Sequence, residues 1–158
     1  MSDAAPRVVY DCNIYVQALI NSAGPAGRCV DEAIDGAVAL FVSPFVLAEI
    51  RESHVKIPSK YGVTAGQTAA LADGIAKIAT LVAVVPAEFV YTRDPDDAHY
   101  VNVALAANAR LVISRDRDLL DLMDPARQEG RDFQTRFPQL RILEPVQFLR
   151  ELDAERQA

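Results

Sequence analysis

Carboxylates are the side chains of this sequence best placed to do chemistry, and four stand out by position. Asp11 directly follows the apolar run Val8-Val9-Tyr10, and Asp116 stands two residues after the run Leu111 to Ser114. Glu49 falls in a helical stretch opened by Ser43-Pro44, at the edge of an apolar stripe marked by Val46 and Ile50. Asp97 falls in the first turn of a stretch opened by Asp94-Pro95 and shares a face with Val101 and Ala104. Four carboxylates held together repel one another, and their pKa values rise. Divalent cations relieve that repulsion, and an all-oxygen set suits Mg²⁺ or Mn²⁺ rather than Zn²⁺. Two such ions about 4 Å apart orient water and stabilise both the attacking and the leaving oxygen of a phosphodiester. Metal-dependent phosphodiesterase or nuclease chemistry is therefore the natural reading of the set.

Each acid also has a plain structural reading. Asp94 is a helix N-cap, Asp96 a first-turn acid favoured by the helix dipole, and Asp97 can serve as the N3 acid of a capping box. Glu49 alone reads as a solvated helix residue, and Asp121 and Asp124 as solvent-facing. Asp11 and Asp116 are harder to dismiss, because an acid at the carboxyl end of a buried strand gains little from exposure. The case rests on the four together. Neither Cys12 nor Cys29 has a general-base partner in its sequence context, so a cysteine nucleophile is not expected.

The elements that must position these acids alternate along the chain. Short apolar runs at Val8–Tyr10, Ala39–Val42, Leu81–Val85, Leu111–Ser114 and Leu140–Leu143 read as five strands. Helical patterns fall between them: from Asp11 to about Ile20, Arg28–Asp35, Ser43 to about Ile57, Thr64 to about Ala79, Asp94 to about Asn108, Asp116–Leu122 and Pro145–Leu152. Residues 124–139 are charged and irregular and read as a long loop, and the tail after Asp153 is expected to fray. The alternation predicts an α/β fold, three layers α/β/α around a central parallel sheet of about five strands. In such a sheet ligands bind outside the carboxyl ends of the strands. Asp11 and Asp116 face one crevice if their strands are neighbours.

The chain has 158 residues with a formal net charge of −6, which sets one domain over 1–153 with a tail at 154–158. The acidic balance excludes a polycationic tail, so nucleic acid must be met by a local patch or by bound metal. Two cysteines are too few for a disulfide scaffold and favour a reduced setting. The segment Met1–Arg7 is neither a signal peptide nor a membrane span, and a soluble, cytoplasmic protein is expected.

Four motifs in this order carry a resemblance to a family. Val8-Val9-Tyr10-Asp11-Cys12-Asn13-Ile14 resembles the strand-1 motif of PIN-domain ribonucleases, hydrophobic–Asp–x–Asn. Ser43-Pro44-Phe45-Val46-Leu47-Ala48-Glu49-Ile50 resembles their second motif, and Arg93-Asp94-Pro95-Asp96-Asp97 with the helix after it their third. Leu111 to Leu120, with Ser114-Arg115-Asp116, resembles their strand-4 motif. The resemblance runs from about Arg7 to Glu151 and is nearest to the toxin components of toxin–antitoxin modules, akin to VapC toxins. It implies a PIN-like fold and a metal-dependent single-stranded endoribonuclease, with single-stranded or structured RNA as its substrate partner. Asp11, Glu49, Asp97 and Asp116 would be the catalytic Mg²⁺ or Mn²⁺ carboxylates. Asn13 and Ser114 would be secondary contacts, with Asp94 and Asp118 less secure members. Cys12 departs from the Thr or Ser of many relatives and can pack as a small apolar group.

Around these motifs, Arg51, Lys56, Lys60, Arg93, Arg115 and Arg117 are candidate contacts to RNA phosphates, with surface solvation as the default. Tyr15 and Tyr100 can stack on bases or serve the core, and packing is favoured for His54 and His99. The alanine-rich helix carrying Leu71, Ile75 and Ile78 can pack internally or form a homodimer face, and an antitoxin protein would bury an apolar helix near the acids. The competing reading is a catalytically inactive scaffold of the same fold that acts through protein or RNA binding. A phosphotransfer protein fits poorly, because an aspartyl nucleophile of the Asp–x–Asp type is absent where position 13 is Asn.

Overall fold

The computed structural model describes residues 4–158; the first residues of the Met1–Arg7 segment considered above lie outside the described residues. Five strands pair in parallel in the order β3-β2-β1-β4-β5: β1 (Arg7–Tyr10), β2 (Ala39–Val42), β3 (Thr80–Leu81), β4 (Leu111–Ile113) and β5 (Arg141–Leu143). Tyr10 lies opposite Ile113, so β1 and β4 end level and are direct neighbours. That is the condition on which a shared crevice for Asp11 and Asp116 depended.

The strands are short, and all but the exposed edge strand β3 are largely buried. Val8, Val9, Val112 and Ile113 are all but inaccessible, as expected of a sheet covered on both faces. Helices α1 (Cys12–Ile20), α2 (Pro25–Ile34), α3 (Pro44–Glu52) and α4 (Ala65–Ile78) follow β1 and β2. Right-handed crossovers put them on one face and α5 (Pro95–Ala106), α6 (Arg117–Leu120) and α7 (Gln128–Arg136) on the other. Helix α8 (Pro145–Gln157) packs on α2. The start signals act as expected: Ser43 Oγ accepts from Val46 N–H, Asp94 from Asp97 N–H, and Thr64 with Gln67 closes a capping box. No helix among the described residues is long and apolar enough to cross a membrane.

Several elements differ from the sequence-based expectation. The third strand spans Thr80–Leu81 rather than Leu81–Val85. Its partner β2 ends at Val42, because Ser43-Pro44 turns the chain into a helix, and Val82 N–H makes the last bond, to the Val42 carbonyl. The helix expected to reach Ile57 ends at Glu52 and tightens into a 3₁₀ turn, Ser53–Val55, before Pro58. Residues 124–139 are not a long loop but hold α7. Its apolar anchors are few, Phe133 with Phe137 just beyond the helix end, yet both are buried and both stack against Phe89, at 5.1 and 6.0 Å between ring centroids. Helix α8 continues past Asp153 to Gln157, held where Leu152 is buried and Arg156 pairs with Glu32 of α2. Asp121, expected in solvent, is buried.

Candidate metal centre

The site begins where β1 and β4 end. Asp11 N–H donates to the Ile113 carbonyl at 3.0 Å, which continues the β1–β4 pairing by one residue and turns the Asp11 side chain into the crevice. Asp11 caps α1, accepting from Asn13 N–H at 3.4 Å and from Ser114 Oγ at 2.7 Å. Ser114, fully buried, also accepts from Asp116 N–H at 2.9 Å and so couples the two strand-end acids through one hydroxyl. Asp116 in turn caps α6 and accepts from Asp118 N–H at 2.9 Å.

Helix α5 brings the second pair. Asp94 is its N-cap and Asp97 its third helical residue, so both point from the first turn to the same end of the sheet. Asp94, Asp97, Asp116 and Asp118 each present a carboxylate oxygen, all within 4.8 Å of one another. Asp97 is 6% exposed, and its Oδ2 is buried with no hydrogen-bond partner. Burial, then the neighbouring Asp116, Asp11 and Asp94, push the Asp97 carboxyl up to about 8. Burial pushes Asp11 up to about 6 against the opposing hydrogen bond from Ser114.

Carboxylates gathered this closely repel one another, and Asp97 is also buried. A hard divalent cation fits the set. The donors are all oxygen, they converge, and the unpartnered Asp97 Oδ2 is a buried acceptor awaiting a positive partner. The cluster could hold a metal ion.

The structure regroups the acids named from the sequence. Asp97 and Asp116 sit together, joined by Asp94 and Asp118, which the sequence ranks lower. Asp11 is beside them through Ser114. Glu49 stands apart from the four-aspartate group: on α3 it accepts from Tyr100 Oη at 2.5 Å, and that oxygen accepts from Cys12 N–H at 3.2 Å. Burial raises the Glu49 pKa and the Tyr100 hydrogen bond opposes the rise. Asn13 Oδ1 accepts from Arg115 N–H at 3.4 Å. The sequence contained a signal for Asp94 and Asp118 that capping alone obscured. An N-cap acid followed two or three residues later by another acid places both on one helix end, and this occurs at Asp94/Asp97 and again at Asp116/Asp118.

Among the cations, Arg93 departs most from expectation. It is not free for phosphate: Nε reaches Asp118 at 2.7 Å, Nη2 reaches Asp121 at 2.7 Å and Nη1 reaches Glu129 at 2.9 Å. Arg51 pairs with Asp73 at 2.5 Å, while Lys56, Arg115 and Arg117 are exposed. Lys60 lies over the Tyr61 ring. Tyr100 and Tyr15 are core residues. His99 Nε2 meets Ser43 Oγ at 2.7 Å beside Phe45, and His54 Nδ1 lies 3.2 Å from the Arg51 carbonyl, both packing roles.

The chain is 28% identical over 148 residues to an uncharacterized protein of Methanocaldococcus jannaschii, covering 93% of this chain and 92% of that protein. Its fold is similar to a chain in the crystal structure of VapBC2 from Rickettsia felis bound to a DNA fragment from their promoter. The TM-score is 0.53 at 15% identity, over 87% of this chain and 98% of that one. The family model described as PIN domain matches residues 7–118, the stretch that runs from the start of β1 to the last acid of the cluster. On that match, the chain belongs to the PIN domain family.

Proposed function

We propose that this protein is a Mg²⁺- or Mn²⁺-dependent endoribonuclease that hydrolyses phosphodiester bonds of single-stranded RNA, and that it is the toxin of a toxin–antitoxin pair acting in the cytoplasm. The observation that carries the catalytic reading is the convergence of Asp94, Asp97, Asp116 and Asp118 around a buried, unpartnered Asp97 oxygen. Membership of the PIN domain family supports it.

When bound, a divalent ion supplies Lewis acidity at the scissile phosphate and at the departing 3′ oxygen. The chain's own residues do the rest. Asp94, Asp97, Asp116 and Asp118 would hold the ion. Ser114 keeps Asp11 and Asp116 in a fixed relation by donating to one and accepting from the backbone of the other. Glu49, oriented by Tyr100, and Asn13 line the approach from the α1–α3 side, where Lys56 offers a cation for the RNA backbone. Arg115 and Arg117 flank Asp116 from the solvent side. The antitoxin reading draws on the VapBC2 likeness and on a cavity of about 540 Å³ beside Glu49. Val16, Ile20, Ile57, Pro58 and Tyr61 give it an apolar lining suited to a partner's helix.

The test is cleavage of a mixed RNA panel by the purified chain with Mn²⁺. Cleavage that disappears in Asp97→Asn, with circular dichroism unchanged, is the expected result. Absence of cleavage together with absence of any metal-dependent rise in Tm would leave a noncatalytic scaffold as the better reading.

A further inference from the structure

We propose that Arg93 is the positioning residue of the acidic cluster: its guanidinium fixes the Asp118 carboxylate so that one oxygen is held back and the other faces the cation shared with Asp94, Asp97 and Asp116. The inference rests on the cluster being a cation site and adds a residue that is not itself a ligand. Arg93 immediately precedes the N-cap Asp94, and its fork spreads over three carboxylates from three consecutive segments. Nε engages Asp118 Oδ1 at 2.7 Å. Nη2 engages the buried Asp121 at 2.7 Å, in the 3₁₀ turn Asp121–Met123, and Nη1 engages Glu129 of α7 at 2.9 Å. Arg127 backs both of these anchors, 3.6 Å from Asp121 and 3.8 Å from Glu129.

Asp118 is restrained on its main chain as well. Its N–H donates to Asp116 Oδ1 at 2.9 Å, and its carbonyl accepts from Tyr91 Oη at 2.8 Å. The segment that delivers Tyr91 and Arg93 is clamped to α5 by Asn102, which accepts from Phe89 N–H at 2.7 Å and donates to the Phe89 carbonyl at 2.9 Å. Asp118 is thus held by its amide, its carbonyl and one carboxylate oxygen, and it belongs to the cluster of four aspartates. Partners of this kind, one step removed from the ion, orient ligands and tune affinity.

Two physical effects of Arg93 oppose each other, and they separate by substitution. As a bare positive charge it would repel a cation; as a planar fork it presents a ligand. Lysine keeps the charge and loses the fork. Titration of the EDTA-treated, dialysed chain with MnCl₂ by calorimetry reads the difference. Arg93→Lys and Arg93→Gln are both expected to weaken Mn²⁺ binding by about 10–100-fold. If Arg93 acts through Asp118, the double variant Arg93→Gln/Asp118→Asn binds no more weakly than Asp118→Asn alone. Additive losses, or Arg93→Lys equal to the unsubstituted chain with Arg93→Gln tighter, overturn the assignment. Should Arg93→Lys not fold, Glu129→Gln frees one arm of the same fork at a half-exposed carboxylate; weakened Mn²⁺ binding there supports the assignment and unchanged binding overturns it. Failure of the unsubstituted chain to bind Mn²⁺ overturns the cation site and this inference together, whereas unchanged variants of a chain that does bind overturn this inference alone.

Discussion

Asp97 is placed against its own charge. Its usual carboxylate value of 3.8 is pushed up to about 8, and that of Asp11 to about 6, chiefly by burial. A folded carboxyl raised above its unfolded value holds a proton that the unfolded chain has released. Stability of the metal-free protein is therefore expected to fall as pH rises from about 4 to about 8 and to level off above that. Asp97→Asn removes the charge and fills the unpartnered position with an amide that can donate. In EDTA at alkaline pH the variant is expected to gain about 1–3 kcal/mol, the usual cost of a buried unsatisfied polar atom, with a flatter pH profile in urea denaturation. Loss of stability instead would show that Asp97 is partnered in the metal-free protein. The placement of Asp11, Asp97 and Asp116 was readable from sequence, because strand ends and helix first turns fix where a side chain points. The contact that orients Glu49 was not readable. The Tyr100 hydroxyl sits between Glu49 and the Cys12 amide, and nothing in the order of residues announces it.

Among the elements, α7 shows where periodicity fails. Its sequence is strongly polar, and only Gly130 and Phe133 within it are buried. A glycine inside a helix weakens a sequence-based prediction, yet here its missing side chain lets the helix lie against the Asp124 backbone. A Cβ at Gly130 would lie 2.2 Å from the Asp124 carbonyl oxygen, a backbone atom that cannot swing aside. Gly74 in α4 has open space around the same position. Replacing glycine by alanine in a helix gains about 1 kcal/mol where nothing interferes. Overpacking costs about 1–3 kcal/mol. Gly74→Ala is therefore expected to stabilise and Gly130→Ala to destabilise, measured as opposite shifts of the urea midpoint. Equal stabilisation by both would mean that α7 sits farther from Asp124 than described. The third strand was misjudged for a different reason. Its apolar run continues to Val85, but strand length is set by the partner, and β2 stops at Val42.

At the scale of the molecule, the strand order β3-β2-β1-β4-β5 explains why the acids meet. Crossovers leave β1 toward β2 on one side and reach β4 on the other, so the crevice opens between β1 and β4. Alternation of strands and helices predicted the parallel sheet and its layers, but strand order is a matter of which edges pair and is not written in composition. Placement of the cluster at this junction predicts that a cation binding only the folded state raises stability by about 2.7 kcal/mol at a hundred times its Kd. A scan of Tm with Mn²⁺ should show a saturable rise, reversed by EDTA and absent in Asp97→Asn. A chain without that rise would not use the cluster as a cation site.

The pairing of the first strand with the fourth also fixes when the cluster can exist during synthesis. The Ser114–Asp11 bond joins residues 103 positions apart. At about 5–20 residues per second, ribosomes deliver Asp116 several seconds after Asp11. Until then β1 has one open flank, and the nascent polypeptide carries no assembled cluster. A cation site built on this cluster therefore cannot assemble before Asp118 has been synthesised.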